Sequence, residues 1–368
     1  MNYLIPFLIL ITIVVFIHEY GHYYFAKKYG VGITDFSIGF GKEIFGWNDK
    51  SGTRWKICWI PLGGYVKFFG DRNVFSQSEQ QETINQYKEE DRQKLFILKP
   101  LYQRSIIVAA GPLANFALAI LIFLMINMFV GKDLTPAIID EVQKDSPAFV
   151  AGMKKNDRIT YIDSNKVESI LEVSTFINAS TAETIEFIIL RNDQEIALLV
   201  KPNLVDGKDS LGNSVKKRMI GIRLSISNNE FKKQPLGPSK AIYYSVKEVW
   251  FVTVTSLNYV GKMITGSADS SQLGGPIRIA KITGQVAEYG IIPFLNIMAY
   301  ISISLGLINL FPIPMLDGGH LMFYLIEKVL GRPLSQKTQE SFFRIGLFLL
   351  FFLMFFVTIN DLKDIGLF

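Results

Sequence analysis

The residues best suited to chemistry are His18, Glu19 and His22, which stand in the run His18-Glu19-Tyr20-Gly21-His22. Residues four apart share one face of an α-helix, so the two imidazoles could bind one metal ion, while Glu19, about 100° round the helix, could act on a water molecule. This is the H-E-x-x-H pattern of zinc hydrolases. A five-residue pattern of this kind also occurs by chance. The alternative interpretation is therefore a helix with two histidines that bind no metal.

The motif lies near the end of an apolar run. Residues 2–17 contain no Lys, Arg, Asp or Glu, and a run of this kind predicts a retained transmembrane helix, which we place at about residues 3–25. Ionisable side chains are costly at membrane depth and usually mark a functional site there. Lys27 and Lys28 follow this predicted helix, so the positive-inside rule puts the N-terminus outside the cytoplasm.

Composition narrows the class of protein. The 368 residues are 49% hydrophobic and have a mean hydropathy of +0.27, which fits a membrane protein with a folded aqueous domain. The net charge of +5 comes from basic residues scattered among acidic ones, so a nucleic-acid partner is not expected. The single cysteine, Cys58, excludes an intrachain disulfide and a cysteine-based zinc site. Histidine and carboxylate side chains remain as ligands.

The first part of a membrane core is predicted over residues 1–131. After the first span, residues 33–69 consist of short β-like pieces punctuated by glycine. They form either a small cytoplasmic sheet or a membrane-associated β-loop region that lines a cavity and offers a strand edge to a peptide. Residues 71–104 read as a polar cytoplasmic loop, and a second span is expected at about 105–130.

An aqueous domain then interrupts the membrane core. Residues 132–205 alternate strand and helix patterns in an order that resembles a PDZ domain, and two preceding spans place it outside the cytoplasm. Residues 206–240 read as a linker that contains a short strand at residues 220–224. The charges in residues 241–264 favour an amphipathic helix at the outer interface, with a transmembrane helix as the alternative. We therefore assign interfacial helices and a Gly-Pro loop to residues 241–292.

The second part of the core, residues 293–368, supplies a third candidate ligand. Spans are predicted at about 293–316 and 342–359, which returns the C-terminus outside. Pro312 and Pro314 must unwind the third span, and Asp317 follows at a depth comparable to the histidines. Two imidazoles and one carboxylate are a catalytic zinc set, although His320 is a chemically reasonable third ligand in place of Asp317.

Taken together, these motifs resemble the bacterial site-2 protease family, of the regulator of sigma-E protease type. The resemblance covers nearly the whole chain. It rests on the HEYGH run and on the segments Gly39-Phe40-Gly41, Gly63-Gly64-Tyr65, Ala110-Gly111-Pro112-Leu113-Ala114-Asn115, Gly275-Pro276-Ile277, Asn309-Leu310-Phe311-Pro312 and Leu316-Asp317-Gly318.

This resemblance implies a fold and a set of roles. The fold is a polytopic α-helical membrane protein of about four transmembrane helices, with a membrane-associated β-loop region and one inserted α+β PDZ-like domain. Zn²⁺ would be held by His18, His22 and Asp317, with Glu19 as general base and acid. Substrate binding would fall to the set Gly39, Phe40, Gly41, Gly63, Gly64, Asn309 and Pro312. Better-known members carry two tandem PDZ domains, and residues 132–240 have room for one.

The resemblance also implies partners. Substrates would be membrane proteins with a single transmembrane segment, such as anti-sigma factors or remnant signal peptides, cut first by an upstream site-1-type protease in a bacterial inner (plasma) membrane. Two other functions remain open from the residues: a membrane metal transporter or chaperone without hydrolysis, and an adaptor working through its PDZ-like domain. Glu19 favours hydrolysis, because a transporter needs ligands but no base beside a water molecule.

Overall fold

The computed structural model describes residues 3–69, 88–208, 214–225, 233–266 and 273–364. The first half of the predicted cytoplasmic loop 71–104 therefore lies outside the described residues, as do parts of the predicted linker 206–240. The chain forms two compact units. Unit 1 comprises Met1–Ile122 and Gly274–Phe368, and unit 2 comprises Phe123–Leu273.

Four helices of the described chain are long and apolar enough to cross a membrane. They are α1 (Leu4–Lys28), α2 (Leu101–Phe129), α6 (Ile291–Leu310) and α8 (Gln336–Asp364). Unit 1 also contains α5 (Pro276–Glu288) and α7 (Asp317–Leu330). These four candidate helices match the predicted number of spans, and α2 starts four residues before the predicted position.

The third span ends earlier than predicted. Helix α6 stops at Leu310, six residues before the expected end at residue 316, because Pro312 and Pro314 prevent the helix from continuing. Met315 takes a left-handed conformation with φ of 91°. The chain becomes helical again at Asp317, so this carboxylate stands in the first turn of α7.

The β-loop region is a sheet of four rows made from only two strands, β1 (Ile33–Asn48) and β2 (Arg54–Phe68). Residues 33–38 of β1 pair with residues 64–68 of β2 on one side and with residues 54–57 on the other. Residues 43–48 pair with residues 54–58. Both strands bend back near glycines with positive φ, among them Gly39 at 87° and Gly63 at 95°. The outer rows are residues 64–68 and 43–48.

Unit 2 contains a sheet with the strand order β11-β4-β5-β7-β8, with β6 beside β5. The bounds are β4 Ile138–Val142, β5 Arg158–Ile162, β6 Asn165–Lys166, β7 Ile185–Arg191, β8 Gln194–Val200 and β11 Ile222–Ser225. A helical turn at Pro147–Val150 and helix α3 (Ile170–Ala179) accompany the sheet. Its core includes Ile159, Phe187 and Ile189. The predicted α+β order is found.

The predicted boundary at residue 205 is wrong. Strand β11 pairs with β4, so the domain extends to at least Ser225. The segment expected to be a linker also contains a hairpin of β9 (Asn203–Lys208) and β10 (Ser214–Met219). Strand β3 (Lys132–Asp133) pairs with β12 (Lys233–Gln234), which closes the base of the insertion.

Helix α4 (Pro238–Ile264) belongs to unit 2 and has two different faces. One face contacts the α+β domain: Phe251 packs on Phe176 with ring centroids 5.1 Å apart, and Lys247 lies 3.4 Å from Glu168. The opposite face exposes an apolar stripe of Ile242, Val246, Trp250, Leu257 and Ile264. This helix is not apolar enough to count among the candidate spans.

Candidate metal centre and catalytic site

Three side chains from two helices meet inside unit 1. Helix α1 supplies His18 and His22, and the first turn of α7 supplies Asp317. The Nε2 atoms of the histidines are 3.2 Å apart. Oδ2 of Asp317 lies 3.1 Å from Nε2 of His18 and 3.5 Å from Nε2 of His22. The structure thus brings together the three residues predicted to bind a metal.

The spacing of these atoms fits zinc. Ligand atoms about 2.0–2.2 Å from a tetrahedrally bound zinc ion are about 3.3–3.6 Å from one another, close to the three distances observed. Oδ2 of Asp317 is buried and has no hydrogen-bond partner among the described residues. Three electron-rich atoms crowded in this way repel one another unless a cation lies between them.

Helix α2 fixes the position of the histidines. Nδ1 of His22 lies 2.9 Å from the backbone oxygen of Ile107. A carbonyl only accepts, so His22 carries its proton on Nδ1 and keeps the Nε2 lone pair for a metal. One turn further along, Gly111 lies under both rings: a Cβ there would stand 2.2 Å from Nε2 of His22 and 2.9 Å from Nε2 of His18. Only glycine leaves room for this pair of imidazoles.

Glu19 lies beside the ligand set and against the sheet. It is half-buried, and its Cγ would be 3.4 Å from a Cβ added at Gly64. The backbone N–H of Val66 faces its carboxylate. Gly64, one of the predicted substrate-binding residues, is therefore a point of close approach between β2 and the proposed base. The carboxylate stands at an outer row of the sheet, next to the metal ligands.

A cavity of about 510 Å³ opens on this site. Its wall includes Glu19, Asp317, Asn309 and His320, so the predicted substrate-binding residue Asn309 does face the site. His320 lies with its ring 5.8 Å from that of Phe343 and is not in the three-ligand group. Further along the wall, Arg104 and Glu327 form an ion pair with a shortest distance of 2.6 Å.

The remaining predicted substrate-binding residues do not line this cavity. Gly39, Phe40 and Gly41 lie at the bend of β1, and Gly63 packs against the Phe40 ring. Pro312 is exposed and is likewise absent from the wall. The sheet residues that do line the cavity come from the outer row of β2: Tyr65, Val66, Phe68 and Phe69, the last just beyond the strand. Gly64, which is also among the predicted residues, belongs to this outer row. Which of the predicted residues contact a substrate stays a prediction.

With this geometry in place, comparison with known proteins identifies the family. The model of peptidase family M50 matches residues 6–353. The chain belongs to peptidase family M50. The resemblance to site-2 proteases inferred from the motifs is thereby confirmed.

Relatives in this family match along their whole length. A protein of Agrobacterium fabrum named as a candidate zinc metalloprotease is 40% identical over 364 residues, which is 99% of this chain and 96% of the relative. A second relative with the same kind of name, from Mesorhizobium japonicum, is 40% identical, and the match covers 98% of each chain. Metalloprotease MmpA of Caulobacter vibrioides is 34% identical, covering 99% of this chain and 96% of its own.

Among solved structures, the PDZ domain of an SdrC-like protein from Listeria monocytogenes matches 24% of this chain and 87% of that chain at 25% identity, with a TM-score of 0.20. A TM-score of this size adds nothing to the fold description. The α+β order of unit 2 and its strand pairings stand on the coordinates alone.

Proposed function

We propose that this protein is an intramembrane zinc metalloendopeptidase that hydrolyses peptide bonds in transmembrane segments of membrane proteins. The observation that carries the proposal is the set of three ligand atoms with zinc-like spacing. Two of the ligands, and the neighbouring carboxylate of Glu19 that is not a ligand, are on a helix that can span a membrane. His18 lies about 21 Å along α1 from Leu4, so the chemistry would take place at membrane depth. Metal transport would require only ligands, and it would leave the position of Glu19 beside the ligand set without a purpose.

The roles of the residues follow from their positions. His18, His22 and Asp317 would hold zinc, which supplies Lewis-acid activation of a peptide carbonyl and of water. Glu19 would take a proton from the attacking water and pass it to the leaving amine, because its carboxylate is placed beside the ligand set and is not needed to bind metal. The cavity supplies water from its polar wall, where Arg104 and Glu327 lie.

Metal removal tests this function. Purified protein in detergent should cleave a single-span membrane substrate, lose that activity when a strong chelator removes zinc, and regain it when about one zinc per chain is restored. The physical reason is that water is too weak a nucleophile at neutral pH without the metal. Cleavage that continues after complete zinc removal would exclude a zinc peptidase.

We propose that substrate binds as an added strand along residues 64–68 of β2. This row is an outer one in the sheet, so among the described residues only β1 pairs with it, on its other side. Tyr65, Val66 and Phe68 bring it into the cavity with Glu19. Main-chain hydrogen bonds along a strand edge hold an extended peptide regardless of its side chains. A substrate helix must unwind first, because its carbonyls are engaged within the helix.

Charge distribution supports an orientation in a bacterial inner membrane. Lys27 and Lys28 lie in the last turn of α1, and Arg104 lies in the first turn of α2. These two helix ends are adjacent, since the rings of Tyr29 and Tyr102 are 6.4 Å apart. Basic residues collect on the cytoplasmic side. Both termini and the α+β domain are then outside the cytoplasm. The apolar stripe of helix α4, with Trp250 at its centre, would lie against the inner membrane on the side that faces away from the cytoplasm.

The substrates we propose are membrane proteins with a single transmembrane segment that an upstream site-1-type protease has already shortened. The support is indirect: the catalytic groups are all in unit 1, while unit 2 carries the PDZ-like α+β domain inserted between spans. A domain of that class captures peptides by strand addition, so it would inspect substrates before they enter.

Removing the α+β domain should leave catalysis intact. Asp133 and Lys233 are directly paired in neighbouring strands, so residues 134–232 can be replaced by a short Gly-Ser turn without stretching the chain. We expect the shortened protein to bind zinc and to cut a pre-trimmed substrate, since no ligand or base is lost. Cleavage rates of trimmed and untrimmed substrates, compared with those of the full chain, measure the effect.

The same deletion combined with Glu19→Gln is the control, and it should be inactive on both substrates. If the shortened protein folds and holds zinc but does not cut the trimmed substrate, the domain is part of the catalytic machine, and the regulatory role is wrong.

A further inference from the structure

Asn115 on α2 lies next to the metal site and is one of the least exposed polar residues of the chain, with 0% of its surface accessible. Its side-chain nitrogen is 3.3 Å from Nδ1 of His18, and its Oδ1 is buried without a hydrogen-bond partner among the described residues. A buried amide oxygen without a partner has lost its hydrogen bonds to water and gained none in the protein, which is unfavourable. A hydrogen bond from the Asn115 side-chain nitrogen to His18 therefore leaves Oδ1 of Asn115 without a partner among the described residues.

The direction of this hydrogen bond decides whether His18 can bind a metal. If the amide N–H donates to Nδ1, a neutral His18 carries its proton on Nε2, the atom that faces His22 and Asp317. A protonated nitrogen has no lone pair to offer a metal. If Oδ1 instead accepts a hydrogen bond from the N–H at Nδ1, the Nε2 lone pair is free and the buried oxygen gains a partner.

The two ends of an amide have nearly the same size, so a 180° rotation about the Cβ–Cγ bond exchanges them without steric change. His22 already shows the arrangement that results, because its Nδ1 donates to the carbonyl of Ile107 on the same helix. Ile107, Gly111 and Asn115 are spaced by four residues and share one side of α2. This side provides an acceptor for each histidine, with a glycine between them.

We propose that Asn115 is a positioning residue that accepts a hydrogen bond from Nδ1 of His18 through Oδ1 and so fixes the tautomer and ring orientation required for zinc binding. Asn115 is itself held in place: Ser302 on α6 donates to its backbone oxygen at 2.9 Å. Partners of this kind, when removed, typically lower metal affinity about 10–100-fold. The inference rests on the zinc site proposed above.

Two variants separate the acceptor role from simple packing. Asn115→Leu keeps the branched shape and the number of side-chain heavy atoms and removes the acceptor, so we expect zinc affinity about 10–100-fold weaker and faster zinc release to a chelator. Asn115→Asp keeps an acceptor and cannot donate, so we expect affinity within a few-fold of wild type. Asn127→Leu is the matched control, since Asn127 lies on the same helix and bonds Ser245 in unit 2.

The measurement is the zinc dissociation constant of full-length protein in detergent, by chelator competition, together with the visible spectrum of the cobalt-substituted protein. Affinity unchanged in Asn115→Leu, or lost as much in Asn115→Asp as in Asn115→Leu, overturns the proposal. If Asn115→Leu does not fold, Asn115→Asp decides alone: retained zinc supports the acceptor role, and lost zinc overturns it. Zinc absent from wild-type protein would overturn the proposed function itself, which keeps the two failures distinguishable.

Discussion

Replacing Glu19 by Gln should abolish peptide cleavage while the purified protein keeps about one zinc per chain. Gln has nearly the shape of Glu but cannot take a proton from water, and general base catalysis is typically worth about 10²–10⁴-fold in rate. Glu19 stands beside Gly64 and Val66 at the ligand set without belonging to it. Turnover of a fluorescent single-span substrate and metal analysis of the same sample measure the two quantities.

The matched control is Glu288→Gln, the same chemical change at an exposed carboxylate of unit 1. It should retain both activity and zinc. Glu19→Gln with wild-type turnover would remove Glu19 from the mechanism, and Glu19→Gln without zinc would make it a ligand.

The second large effect should come from Asp317→Asn, which we expect to lose zinc and activity together. Oδ2 of Asp317 lies 3.1 Å and 3.5 Å from the two Nε2 atoms, so its negative charge is the part of the site that offsets the charge of the metal. Loss of a direct ligand should weaken zinc binding by at least the roughly 10–100-fold seen when supporting residues are removed. The zinc content per chain, measured after dialysis at a fixed concentration of free zinc, gives the loss of affinity.

His320→Ala is the comparison, because His320 was the alternative third ligand. It lines the cavity and its ring lies 5.8 Å from the Phe343 ring, outside the group of three ligand atoms. We expect this variant to keep most of its zinc and activity. Zinc lost from His320→Ala but kept in Asp317→Asn would reverse the assignment of the third ligand.

The parts of this structure that the sequence predicted well are those governed by local rules. A helix-period pair of histidines, an apolar run of spanning length and two prolines that stop a helix each act within a few residues. Helix α1 and the break after Leu310 follow directly from them. Asp317 was predicted to lie near the histidines because all three residues are expected at a comparable depth in the membrane. That depth follows from the order and direction of the spans and requires no knowledge of contacts.

The errors concern contacts that depend on distant pairing. Strand β11 was predicted as a short strand within a linker, and its place in the α+β sheet was missed because its partner, β4, lies some 80 residues earlier in the chain. The four-row sheet requires each strand to bend and pair twice, so nothing local shows that residues 64–68 rather than Gly39 to Gly41 meet the cavity. The importance of Asn115 was equally hidden, since a lone amide in an apolar helix also fits simple helix packing.

The most direct test of the central claim is the position of the cut. Wild-type protein and a single-span substrate, reconstituted together in lipid vesicles with zinc, should give two products whose masses place the broken peptide bond inside the apolar segment of the substrate. Glu19→Gln vesicles should give neither product. A cut that lies only in the aqueous flanks of the substrate, or products that appear equally with Glu19→Gln, would contradict hydrolysis at the His18, His22 and Asp317 site within the membrane.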